Sequence, residues 1–191
     1  MSQAVAYSKI VETSLCGVHN TFKKYHKWSD GQWLNWAPES FIQSEIANSL
    51  SDICPFITLE DTLRNILEDA DAEMKGPKPR NSSSGRVDII VWWANKTPRI
   101  LIEVKKAWKD DALIEDAKRL RQLLNRGGSL QKGMLIAYTA AQKPETINNR
   151  FKKMAYKSGT ILESRIGPKK RYYDEEIWHW DAGCFSVSKN P

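Results

Sequence analysis

Two acids and a lysine stand out in an otherwise apolar stretch: Asp88 in VDIIVWWA, and Glu103 and Lys105 in RILIEVKKA. Both segments are dense in β-branched and apolar residues and are joined by a short NKTP turn, so they read as the two strands of a hairpin. Strand side chains alternate with period two. A turn over residues 94–99 sets Trp93 against Ile100, Asp88 against Lys105 and Ile90 against Glu103, which projects Asp88, Glu103 and Lys105 from one face. Neighbours on such a face lie ~4.5–8 Å apart, close enough to share one metal ion. A slip of one residue in the pairing would send Asp88 to the opposite face.

Strands this apolar have no packing reason to carry three charges on an inner face, where each uncompensated charge costs several kcal/mol, ~3–5 when a partner is missing. One compensation is a mutual ion pair, in which case the segment is an ordinary hairpin with a structural Asp88–Lys105 pair. The other is a divalent cation. Mg²⁺ takes one or two carboxylates, further oxygen ligands and several waters, and Asp88, Glu103 and the carbonyl of Val104 make such a set, in which Mn²⁺ would also fit. Lys105 would then orient the attacking water, help deprotonate it, or stabilise charge on a phosphate.

The rest of the chain must position these residues. Its 191 residues fit one domain, and 41% hydrophobic content with eight Trp suits a globular protein with a sizeable core. Residues 5–26 read as a helix, followed by a Trp-rich loop and a second helix opened by Pro38 and Glu39, with Ile42, Ile46, Leu50 and Ile53 at helical spacing. FITLE (56–60) reads as a short strand and residues 60–74 as a helix, followed by a turn-rich loop over 75–85. After the hairpin, residues 110–125 form an amphipathic helix ended by Gly127 and Gly128, and GMLIAYT (133–139) is a buried strand. A basic helix (145–157) and aromatic-rich strands near 172–188 complete the order, which predicts an α/β sheet with helices on both faces.

The formal charge of +6 is concentrated: residues 143–171 hold nine Lys and Arg against two acids, while the remainder is close to neutral. Such a region is the electrostatic footprint of a phosphate-backbone binder, or else a solvated lysine-rich surface. Cys16, Cys54 and Cys184 are far apart and outside CxxC pairs, which points to reduced core residues of a cytoplasmic protein. The N-terminal stretch has no signal-peptide pattern, and no segment approaches the ~20 apolar residues of a membrane span. His19, His26 and His179 are too scattered for a histidine-based metal centre.

Asp88 at a strand start, Glu103-Val104-Lys105 in the next strand, and the helix and strand that follow resemble the PD-(D/E)XK nuclease superfamily, whose restriction-endonuclease-like core is a helix, a three-stranded meander, a helix and a further strand (αβββαβ). The resemblance covers roughly residues 38–140, leaving 1–37 as an N-terminal helical addition and 141–191 as a basic, aromatic-rich C-terminal one. Val87 stands where the motif has Pro, and FITLE is the candidate first meander strand, with a helix inserted after it. The resemblance implies a Mg²⁺-dependent nuclease, with DNA as substrate ahead of RNA; the sequence shows no nucleotide-binding loop or separate recognition domain, so specificity is expected from a homodimer or a partner protein. A non-catalytic nucleic-acid-binding module on the same fold is the alternative.

The resemblance also implies a further acid from the first core helix. Glu39 falls within that helix's sheet-facing stripe and Glu45 on its flank, so Glu39 is preferred, unless it only complements the helix dipole; Glu60 is a third candidate. The expected nucleic-acid contacts are Lys118, Arg119 and Arg121 on the helix after the hairpin, and Arg150, Lys152, Lys153, Lys169, Lys170 and Arg171 in the basic region. Trp28, Trp33 and Trp36 either stack on unpaired bases or cap the core.

Overall fold

Runs of apolar residues at every position of adjacent strands make a sheet that must be covered on both faces, and the chain supplies helices for each. The computed structural model describes residues 4–74, 85–106, 110–173 and 175–189, and forms a mixed sheet of seven strands flanked by five α-helices. Helix α1 (Tyr7–Trp28), a single 3-10 turn (Leu34–Trp36) and α2 (Glu39–Ser51) lead into β1 (Phe56–Thr62), α3 (Leu63–Asp69), β2 (Arg86–Trp92) and β3 (Pro98–Lys106). Then follow α4 (Asp110–Leu124), β4 (Lys132–Ala141), α5 (Pro144–Ser158), β5 (Ile161–Arg165), β6 (Lys169–Tyr173) and β7 (Glu176–Val187). The turn-rich stretch expected over 75–85 lies, except for Gly85, outside the described residues.

Strands β1, β2 and β3 form an antiparallel meander, and the α4 crossover returns the chain to β4, parallel to β3. The C-terminal addition is no appendage. Strand β7 pairs antiparallel with β4 from Gly133 to Ala141, and both β5 and β6 pair with β7. Helix α1 is likewise integral, burying Ile10, Val11, Leu15 and Val18 in the same core as α2.

Period-two alternation sorts the two cores. Ile89 and Val91 of β2 and Ile100, Ile102 and Val104 of β3 face α1 and α2. Ile90, Trp92 and Leu101 face the other way, against Leu113, Leu120 and Leu124 of α4 and Phe151 of α5. On β3, therefore, the α1/α2 side is apolar from Ile100 to Val104 and ends in Lys106, whereas the α4 side runs Leu101, Glu103, Lys105.

Four expectations need correction. The hairpin register differs by two residues from the expected one: Ile89 pairs with Ile102 and Ile90 with Leu101, which brings Asp88 level with Glu103 and not Lys105. The cause is a tighter turn, closed by Trp93 N–H to Thr97 O at 2.8 Å and Lys96 N–H to Trp93 O at 3.0 Å, with a bulge at Val91/Trp92. The helix expected over 60–74 starts late because β1 continues to Thr62, whose side chain caps α3 by accepting from Asn65 N–H at 3.3 Å. Strand β5 lies where no strand was expected. Of the cysteines, Cys54 and Cys184 are buried, but Cys16 is exposed. No described helix is long and apolar enough to cross a membrane.

Helices α1 and α2 pack closely where Gly17 meets the middle of α2. Gly17 lies so close to α2 that an added Cβ would sit 2.9 Å from Ile46 Cα, a backbone atom that cannot rotate aside. Replacing Gly by Ala in a helix interior gains about 1 kcal/mol in propensity, but overpacking costs about 1–3 kcal/mol. Gly17→Ala should therefore destabilise the protein in chemical denaturation; a gain in stability would mean that the two helices part freely.

Candidate active site

The charges on the α4 side of β3 sit at its C-terminal end, between antiparallel β2 and parallel β4. Glu103 is 1% exposed and Asp88 8%. Asp88 Oδ2 accepts from Val104 N–H at 2.7 Å, which ties the start of β2 to the end of β3. The two-residue change of register leaves the face assignment intact, because an even slip preserves side-chain direction.

Helices from both layers complete the cluster. Glu39, in the first turn of α2, reaches the end of β3: its Oε1 accepts from Lys106 N–H at 3.2 Å and its Oε2 lies 3.7 Å from Lys105 Nζ. From α4, Asp116 lies 3.5 Å from Lys105 Nζ and 3.1 Å from Arg119 Nη2, and Arg119 Nη2 donates to Glu103 Oε1. The result is an alternating series, Glu39–Lys105–Asp116–Arg119–Glu103, with Asp88 beside it. Four carboxylates face two cations. The second oxygen of Glu103, Oε2, and Oδ2 of Asp116 are buried and have no hydrogen-bond partner among the described residues.

The electrostatics follow from that excess. Burial, and then the neighbouring Asp88 and Asp116, push the Glu103 carboxyl well above its usual range, against the opposing pull of Arg119 and Lys105. Burial also raises Asp88, with Glu60 and Glu39 adding to the rise while the Val104 amide and Lys105 oppose it. Asp116 is raised by burial despite Lys105 and Arg119. Burial alone would lower Lys105, but Asp116, Asp88, Glu103 and Glu39 hold it above the ordinary lysine value.

The residues expected to form the site are only partly brought together. Asp88, Glu103, Lys105 and Glu39 are, whereas Glu45 instead pairs with Lys24 at 2.5 Å. Glu60 is exposed on β1, level with Asp88 by register, in a left-handed conformation (φ 54°) uncommon for a non-glycine residue in a strand. Val104 points its side chain into the α1/α2 core. Lys106 does face away from Lys105, but its Nζ donates to Asn35 O at 3.1 Å and Ala37 O at 3.0 Å, so it anchors the segment before α2.

The basic residues divide. Arg119 belongs to the acidic cluster. Arg121 donates to Ser158 O and Gly159 O at the end of α5, and Arg150 to Thr139 Oγ1 and Ala140 O. Arg171 departs furthest from a solvent-facing phosphate contact: it is 9% exposed, lies 4.4 Å over the Trp33 ring and donates to Gln32 O. Lys118, paired with Glu115, and Lys152, Lys153, Lys169 and Lys170 face solvent. Trp33, at 5% exposure, is a core residue and no stacking platform, while Trp28 and Trp36 are 67% and 66% exposed.

Asp116 is the member that reading along the chain missed. Its only signal was its place three residues before Arg119, on the border of the Leu113–Ala117–Leu120 stripe. No protein-family model, curated protein or solved structure matches the chain significantly.

The donor set fits a hard divalent cation. Among the described residues it offers carboxylate oxygens, two of them (Glu103 Oε2 and Asp116 Oδ2) buried without a hydrogen-bond partner, and more acidic than basic side chains. Among the described residues no three His, Cys, Asp or Glu side chains close into a cage, so the cation would complete its shell with backbone oxygen and water.

The raised carboxyls have a consequence for stability. The folded protein without metal binds protons more readily than the unfolded chain, so its stability falls as pH rises above the ordinary carboxylate range, about 4. Asp88→Asn removes one such group and should raise the melting temperature of metal-free protein near neutral pH while making that fall with pH shallower. A lower melting temperature with an unchanged pH dependence would show that Asp88 is fully compensated by its contacts.

Proposed function

We propose that this protein is a metal-dependent nuclease that hydrolyses phosphodiester bonds, with DNA the foremost substrate. The observation that carries the reading is the buried Glu103 beside Asp88, one of its oxygens without a partner, in a cluster where carboxylates outnumber cations. The element order α2–β1–β2–β3–α4–β4, with an antiparallel meander and a parallel fourth strand, supports a restriction-endonuclease-like core. Burying this much charge merely to hold a fold would be costly, because breaking such a pair costs about 3–5 kcal/mol and apolar replacements are often more stable.

Asp88 and Glu103 would hold the cation, Mg²⁺ or Mn²⁺, with an oxygen from the Val104 backbone. Bound there, the metal supplies Lewis acidity to the phosphate and a more acidic water. Lys105 holds its ammonium at the edge of the cluster, where it donates to the attacking water or to a phosphate oxygen. Arg119, already on Glu103, places a second positive charge against the same phosphate. The exposed Lys152, Lys153, Lys169 and Lys170 supply sequence-independent attraction to a polyanion, and a second copy or another protein supplies specificity.

The alternative of a purely structural charge cluster rests on the Arg119–Glu103 and Lys105–Asp116 contacts, and the two readings separate by experiment. The protein is incubated with plasmid, linear and single-stranded DNA and with RNA, with Mg²⁺, Mn²⁺ or EDTA. Asp88→Ala and Glu103→Ala should each abolish metal-dependent cleavage while remaining folded, and Lys105→Ala should slow it by ~10²-fold or more. Lys106→Ala should lower stability with a much smaller loss of rate, since its ammonium anchors Asn35 and Ala37. Wild-type cleavage by either acid variant, or a loss of folding without a selective loss of rate in Lys105→Ala, would overturn the assignment.

A further inference from the structure

Among the described residues Lys105 has two anionic contacts at ion-pair range, and they come from different layers of the protein: Glu39 from α2 at 3.7 Å and Asp116 from α4 at 3.5 Å. A lysine side chain is a flexible four-carbon stem with a compact charge, so where its ammonium sits is decided by what holds it. Asp116 also touches Arg119 at 3.1 Å, and Arg119 in turn is on Glu103. One carboxylate of α4 thus contacts both cations that flank the Asp88–Glu103 pair.

We propose that Asp116 is a positioning residue of this site, holding the Lys105 ammonium and the Arg119 guanidinium in fixed relation to the buried carboxylates. It differs from Glu103 in that each of its oxygens lies within ion-pair range of a cation, Oδ1 at 3.1 Å from Arg119 and Oδ2 at 3.5 Å from Lys105, although Oδ2, like Glu103 Oε2, is buried without a hydrogen-bond partner among the described residues. Without Asp116, the ion-pair contacts left among the described residues would be the longer one of Lys105 to Glu39 and that of Arg119 to Glu103. The consequence for rate rests on the nuclease reading; the claim that Asp116 orders Lys105 does not.

The test is Asp116→Asn, a nearly isosteric change that removes the charge, made alone and with Lys105→Ala. Four readouts are taken: the single-turnover cleavage rate, Mn²⁺ affinity by calorimetry, melting temperature, and the ¹H–¹⁵N signal of the Lys105 ammonium, assigned by its absence in Lys105→Arg. Asp116→Asn should lower the rate ~10-fold or more with Mn²⁺ affinity unchanged within about two-fold, since a small misplacement of a reacting group is enough to slow a reaction. The Lys105 signal should broaden or vanish, and the double variant should be no slower than Lys105→Ala alone, because the two act as one unit. An unaltered Lys105 signal, a ~10-fold or greater loss of Mn²⁺ affinity, or rate losses that multiply in the double variant would each overturn the proposal. Should Asp116→Asn fail to fold, Asp116→Ser carries the same readouts. A wild-type protein that cleaves nothing with either metal would sink the nuclease reading, and the ammonium signal would still decide the role of Asp116.

Discussion

Glu103 is a carboxylate with almost no exposure in the middle of a sheet face, and the surrounding structure answers the cost of keeping it there. An ion in that setting loses several kcal/mol of solvation, about what a missing partner costs in a broken buried pair. Arg119 engages one of its oxygens, Asp116 holds Arg119, Lys105 neutralises Asp116, and Glu39 closes the series from the other layer. Each link balances the one before it, yet the series begins and ends on an acid, and Asp88 stands beside it. Among the described residues compensation is therefore incomplete, and what is lacking there is positive charge.

The fold explains why the deficit falls at this point. Alternation along β3 gives Ile100, Ile102 and Val104 to the α1/α2 core, so Glu103 and Lys105, which alternate with them, face α4. Toward its carboxyl end, β3 lies between antiparallel β2 and parallel β4, where the chain leaves the sheet for its crossover. In open α/β sheets such ends of strands are where ligands bind, because departing backbones leave a crevice. Helix α2 brings Glu39 to the same end, and α1 packs against that helix at backbone distance where Gly17 meets Ile46.

Most of the central site was legible because it depends on short-range rules. Period-two alternation is enough to place Asp88, Glu103 and Lys105 on one face, and it tolerated a pairing error because the tighter Trp93–Thr97 turn shifted the register by an even number of residues. Glu39 was found by helical phase in the same way. Asp116 was not, because in a helix reading IEDAKRLRQ an acid next to basic residues looks like any solvated face. What distinguishes it is Lys105, on a strand before the helix. The basic surface was misjudged for the same reason: Arg171 is buried by Trp33, far away in sequence, and only the return of β6 alongside β7 makes that meeting possible. Side chains whose role is set by neighbours on their own element can be read from the chain, whereas those set by long-range pairing cannot.

The central claim is that the charge deficit at Asp88 and Glu103 is made up by a divalent cation. Anomalous scattering from crystals grown with Mn²⁺ tests it most directly, because the signal locates the metal without reference to activity. A peak within coordination distance, ~2.0–2.3 Å, of an Asp88 oxygen and of Glu103 Oε2 is the expected result. Ordered crystals showing no peak there, with the Glu39-to-Glu103 series of ion pairs intact, would mean that the cluster is a structural element and that the deficit is met by protonation.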